Sequence, residues 1–231
     1  MSATARTTGW AAIAYAIIYI ATFVTTILMS TLGPASGIRF RTPDQMTADR
    51  LLGDVGAIEF ALLGAALIVV AMGLRRLMWD EESIIGAAAS SIGVVAGAGL
   101  MLAGAAVGAQ RGFAPNDLAG TGADTAMQRA VVQGGYLLVN AATFLASLAL
   151  LIWLSSIAIA AQRARTLSSR MIVATWLTAL APFASSASTG FAFGFIVTIP
   201  YAAALGISLV RRARRMELNA AGVAASAASP A

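Results

Sequence analysis

Two carboxylates, Asp54 and Glu59, occupy positions where a charge asks for chemistry. A hydrophobic run closes at Arg75-Arg76, and only 15 residues separate Leu74 from Glu59. A helix needs ~20 apolar residues to cross ~30 Å of hydrocarbon. Glu59 is therefore expected inside a membrane, with Asp54 at or near its edge. A charge in a membrane helix costs at least ~2.5–3.5 kcal/mol, so such a carboxyl must be paired, hydrated or protonated. Three uses fit one: holding a small polar or cationic solute, passing a proton, or fixing helix packing through a hydrogen bond. Asp54 and Glu59 are five positions apart, about 140° around a helix, so they do not form a paired-carboxylate acid–base site.

Depth selects partners for these groups. Asn140 lies about as far in from the outer end of its span as Glu59 does, so a Glu59–Asn140 contact is expected, and Gln133 similarly matches Asp54. Thr22, Thr25, Thr26 and Thr198 fall in the same outer half, and Arg50, Arg111 and Arg129 stand at the outer ends as counter-charges. The expected site is thus an outward-open polar pocket with Glu59 at its floor.

Absent residue types narrow the chemistry further. The chain has no Cys and no His, and all of its 15 basic residues are Arg. Thiolate catalysis, disulfides, Cys- or His-based metal sites, b-type haem ligation and Lys Schiff bases are excluded on that ground. There is no Gly-rich phosphate loop and no zinc motif. The expectation is a protein without a cofactor or resident metal, and not an enzyme.

The elements that must position these groups follow from composition. Of 231 residues, 59% are hydrophobic and 11% charged, with mean hydropathy +0.82. Soluble domains are nearer 45–50% apolar and ~25% charged, so lipid must solvate most of this chain. A pI of about 10.7 does not point to nucleic acid, because the net charge is only +5 and the arginines flank hydrophobic segments. The predicted fold is an all-α, polytopic transmembrane bundle of six helices at about 9–32, 51–74, 84–110, 131–161, 170–187 and 191–210. It forms a single domain over 1–216, and the Ala/Ser-rich tail over 217–231 is expected to be disordered. The first segment is longer than the 7–15-residue core of a signal peptide and is taken as a retained helix. Met171 to Val210 is free of charge, ~60 Å as one helix, so it must fold into a hairpin, with 186–190 as the natural turn.

Orientation follows from the arginines. With the N-terminus inside, Arg6, Arg75, Arg76, Arg163, Arg165, Arg170, Arg211, Arg212, Arg214 and Arg215 are cytoplasmic, and Arg39, Arg41, Arg50, Arg111 and Arg129 lie outside. This matches the positive-inside rule, with both termini in the cytoplasm and the chain in the cell membrane. The lack of Lys and the wealth of Ala, Gly and Arg suggest a bacterium of high G+C content.

The third span carries Gly86, Ser90, Gly93, Gly97, Gly104 and Gly108 along one seam, a pattern that lets helix backbones touch. That seam either packs a central helix or offers a face to a second copy or another membrane protein. Tyr15, Tyr19 and Phe23 share one face of the first span. Pro182 and Pro200 are expected to kink the last two.

The Arg6-Thr7-Thr8-Gly9 lead-in, the stretch Arg50-Leu51-Leu52-Gly53 with a carboxylate soon after, and Leu74-Arg75-Arg76 together resemble bacterial six-helix membrane families classed as domains of unknown function. The resemblance covers about a third of the chain. It implies a fold and a location, and no activity. Two functions are expected to compete: permeation of a small solute or proton through the Glu59 layer, and a non-catalytic scaffold engaging a membrane partner through the third helix.

Overall fold

The computed structural model describes residues 2–32, 43–109, 125–189 and 192–227. They form six helices: α1 (Ser2–Leu32), α2 (Pro43–Met78), α3 (Ile84–Gly108), α4 (Thr125–Ala164), α5 (Ser169–Thr189) and α6 (Thr198–Ala227), with a 3₁₀ segment at Ala192–Val197 leading into α6. Five stretches are long and apolar enough to cross a membrane: Ser2–Leu28, Gly53–Met78, Ile84–Gly108, Gln133–Ala164 and Gly194–Ala221. α5, which carries several Ser and Thr in its last two turns, is not among them. The chain is a membrane-embedded helical bundle.

Successive helices run antiparallel and pack side by side. Thr8 sits on Gly73 and Thr25 meets Glu59, which sets α1 against α2. Gly97 meets Gly64, and Gly104 meets Phe60, which sets α2 against α3. Gly93 meets Trp153 and Gly99 meets Ala146 on α4, while Thr175 on α5 meets Tyr201 on α6. The circuit closes where α6 returns to α1: Gly9 against Gly206 and Tyr15 against Thr198, with Arg6 Nη1 3.5 Å from Glu217 Oε1. The first turns of α1 and the exit of α6 therefore lie at one end of the bundle. The 79–83 turn and the 165–168 turn share that end.

At the centre lies a cluster drawn from every helix, including Tyr15, Leu63, Leu67, Leu100, Leu150, Trp153, Ala179, Tyr201 and Leu205, with Phe195 of the 3₁₀ segment. The outward faces are apolar too, with Ile17, Ile58, Leu62, Leu137 and Leu177 all exposed. Water would disfavour that surface by ~25 cal/mol per Å², whereas lipid tails accept it.

Backbone approach holds the helices together. A methyl group on Gly9 would lie 2.8 Å from the Gly206 carbonyl oxygen, and one on Gly206 would lie 2.6 Å from that of Gly9. Each glycine thus lets the other helix come into contact, where dispersion rather than hydrophobic transfer drives association.

Several expected boundaries move. α1 begins at Ser2 and α2 at Pro43, each earlier than the apolar pattern suggests. α5 runs on through Thr189, past the start of the expected turn at 186–190. Pro200 does not kink a helix: it is the third residue of α6, where its missing N–H is one of the four that have no intrahelical acceptor. The tail from 217 is helical as far as Ala227 rather than disordered, since Ala has the highest helix propensity of any residue.

The 165–168 turn is made by Arg165 with φ 51°, in the left-handed region, while Thr166 N–H donates to Ala161 O at 3.1 Å. This is the Schellman closure of α4, formed without its usual glycine.

Candidate functional site

Glu59 lies on α2, 17 residues before Arg76, which is ~26 Å along a helix axis. That is nearly the depth of a ~30 Å hydrocarbon layer, so Glu59 and the Arg75-Arg76 pair stand toward opposite ends of the bundle. Its partner is on α1: Thr25 Oγ1 donates to Glu59 Oε1 at 2.9 Å. The second oxygen, Oε2, is enclosed and has no hydrogen-bond partner among the described residues. Thr22 and Thr26, on the adjoining turns of α1, donate to the carbonyls of Ile18 and Thr22 at 3.0 and 2.8 Å, so Thr25 alone turns its hydroxyl to α2.

The expected Glu59–Asn140 contact does not form. Asn140 is exposed on α4, and α3 stands between α2 and α4. Gln133 and Asp54 are likewise exposed, and no hydrogen bond joins them among the described residues. Arg50 and Arg129 belong to α2 and α4, and their side chains lie outside the described residues, as does Arg111 altogether. Of the two carboxylates, two amides and three arginines expected around the outer pocket, only Glu59 has a described polar contact, and Thr25, expected in the same half, supplies it.

Deeper in the bundle is a polar layer that the sequence pattern did not assemble: it placed Thr198 with the outer-half threonines and Tyr15 on an aromatic face, and named neither Thr175 nor Tyr201. Tyr15 Oη and Thr198 Oγ1 are 3.2 Å apart, and Thr198 also donates to Phe195 O at 2.6 Å. The second bond matters because Phe195 belongs to the 3₁₀ segment, whose carbonyls are not served by an α-helical ladder. Backbone groups at membrane depth must find internal partners. Thr175 Oγ1 donates to Met171 O at 2.7 Å and pairs with the Tyr201 hydroxyl, Oγ1 to Oη 3.1 Å. Tyr15, Tyr201, Thr175 and Thr198 are all buried.

Between the two Tyr–Thr pairs is a cavity of about 30 Å³, walled by Leu67, Leu150, Trp153, Leu205 and Thr178 together with Tyr15, Thr198 and Tyr201. A water molecule needs ~10–15 Å³ of such volume, so the cavity is water-sized and nothing larger fits, and the surface it presents is apolar. It is not lined by Glu59, so the carboxyl is not the floor of this space. Tyr19 lies between the two polar layers, its ring centroid 6.1 Å from that of Tyr15. Phe23, the third aromatic on this face, is turned outward.

The small-residue seam of α3 is buried along its length: Gly86, Ser90, Gly93, Gly97, Gly104 and Gly108. Its contacts lie within the chain. Gly97 meets Ile68 and the Gly64 carbonyl, Gly104 meets Phe60, Gly108 meets Ala57, and Gly86 meets Trp79. Gly64, the α2 half of the tightest approach, was not anticipated. Its signal in the sequence was a lone glycine in an apolar run, which has no meaning until α3 is placed against it.

Among the described residues no group of His, Cys, Asp and Glu is arranged to hold a metal ion. No protein-family model matches the chain, and no curated protein or solved structure matches it.

Proposed function

We propose that the chain is a six-span membrane protein, with both termini on the cytoplasmic side, that conducts protons through its interior. The observation that carries this reading is a set of polar pairs inside the bundle, Glu59–Thr25, Tyr15–Thr198 and Thr175–Tyr201, with the Tyr19 ring beside Tyr15 and a water-sized, apolar-lined cavity beside the last two pairs. Each hydroxyl both donates and accepts, so with intervening water it can hand a proton on. Glu59 is the only carboxyl in this set, and it lies farthest from the arginine-rich end of the bundle. A larger solute has less support, because the cavity is too small for one.

The cytoplasmic assignment rests on charge. The end that gathers both chain termini and the two described turns also gathers Arg6, Arg75, Arg76, Arg163, Arg165, Arg170 and the four arginines from Arg211 to Arg215. α5 completes an even number of passes, since α1 and α6 meet antiparallel at that end. Reporter fusions at the C-terminus and between Arg111 and Arg129 should report opposite sides of the membrane.

Binding of a membrane partner through α3, the competing function, is less well supported because α2 already covers the glycine face. The deciding experiment is proton flux into proteoliposomes under an imposed potential. Glu59→Gln, which still accepts from Thr25, should keep the fold and reduce flux at least tenfold. Unchanged flux in a folded Glu59→Gln protein contradicts the proposal.

A further inference from the structure

At the other end of the bundle, far from Glu59, the α2–α3 turn encloses a cavity of about 310 Å³ lined by Met72, Arg75, Arg76, Trp79, Asp80, Glu81 and Ser90. That is at the lower end of the ~300–1,000 Å³ typical of small-molecule sites. We infer that this cavity is a binding site for the headgroup of a zwitterionic phospholipid of the phosphoethanolamine type. It is independent of the proton pathway.

Position, charge and rigidity carry the inference. Two membrane-crossing stretches end here, Gly53–Met78 and Ile84–Gly108, so the cavity lies at the level of lipid headgroups. Met72, one wall, is exposed on the lipid-facing side of α2, where a tail can run. The charges on the wall are balanced, two arginines against two carboxylates, which fits a ligand carrying both signs and disfavours a simple anion. Guanidinium groups suit phosphate oxygens, and carboxylates suit a primary ammonium that can donate hydrogen bonds.

The cavity is also built rather than incidental. Arg75 Nη2 donates to Glu81 O at 3.4 Å, Trp79 N–H donates to Arg75 O at 3.0 Å and Ser83 N–H to Asp80 O at 3.0 Å, so the turn is braced at three points. Ser83 caps α3 by accepting from Gly86 N–H at 3.1 Å. Trp79 is seated on Gly86, where a methyl group would come within 2.6 Å of its Cβ. Aromatic rings at this depth are common anchors of the headgroup layer, and an indole face also attracts a cation.

The test is native mass spectrometry of the full-length protein, released from detergent after equilibration with phosphatidylethanolamine, phosphatidylglycerol or phosphatidylcholine. One phosphatidylethanolamine per chain should be retained under conditions that strip the other two. Arg76→Gln and Asp80→Asn should each weaken that retention about tenfold, the size expected from losing one charge-assisted hydrogen bond. Asp80 is an exposed turn residue that braces the loop through its backbone, so its side-chain variant should fold even if Arg76→Gln does not. Equal retention of phosphatidylglycerol or phosphatidylcholine, or unchanged retention in Asp80→Asn, overturns the assignment. Displacement of the lipid by soluble phosphoethanolamine would give the site to a free phosphate ester instead.

Discussion

The α2–α3 pair and the α5–α6 hairpin occupy opposite sides of α4 and are held by different forces. Between α2 and α3 the helices touch through Gly64, Gly97, Gly104 and Gly108, and the contact is backbone against backbone or against an apolar side chain. Between α5 and α6 the helical ladder is interrupted by Pro182 and by the 3₁₀ segment, and hydroxyls of Thr175, Tyr201 and Thr198 make the joints. The first arrangement is dry and has no room. The second borders the interior cavity. The two walls thus differ in what joins them, backbone contact in one and buried hydroxyl pairs in the other.

Breaking the first wall should have the largest effect. Gly97→Leu would drive a side chain into the Gly64 carbonyl, 2.7 Å from even a methyl group, and into Ile68. Overpacking of this kind costs ~3 kcal/mol or more, so the variant should unfold in detergent at much lower temperature or fail to assemble. On the second wall, Thr175→Val should cost ~2 kcal/mol, because the buried Tyr201 hydroxyl loses its hydrogen-bond partner. A denaturant or thermal series on both variants ranks the two walls. If Thr175→Val is the more damaging, backbone packing is not the dominant force.

Two smaller changes sharpen the contrast by acting outside either wall. Gly134 on α4 has nothing within 4 Å of where a methyl group would be, so Gly134→Ala should stabilise by up to ~1 kcal/mol, as expected for a helical glycine that serves no contact. Arg165→Gly should relieve the left-handed backbone at the end of α4, a gain of ~1 kcal/mol measurable as a raised Tm.

Much of the α2–α3 wall was legible in the sequence, and little of the hairpin was. Glycines four apart in an apolar helix announce close backbone approach, since few other roles require that spacing. The position of Glu59 along α2, well away from Arg75-Arg76, was also legible, because helix rise sets it. Its partner was not. Thr25 and Asn140 both lie at suitable depth, and depth does not say which helix is the neighbour; α3, standing between α2 and α4, decides it.

The 3₁₀ segment was hidden for a related reason. An apolar run over 191–210 reads the same whether its first turns are 3₁₀ or α-helical, and Pro200 fits a kink as well as a start. Tyr201 and Thr175 lie 26 residues apart on different helices, so no local pattern pairs them. The tail beyond 217 was misread because its Ala/Ser composition suits disorder and helix alike.

Tyr15→Phe is the most direct measurement of a path through the interior. The substitution removes one hydroxyl from the buried layer and leaves the ring, while Thr198 keeps its bond to Phe195 O. Stability should fall by only ~1 kcal/mol. Proton flux in proteoliposomes, matched for the amount of folded protein, should drop at least tenfold. Flux equal to that of the unmodified protein would contradict conduction through this layer.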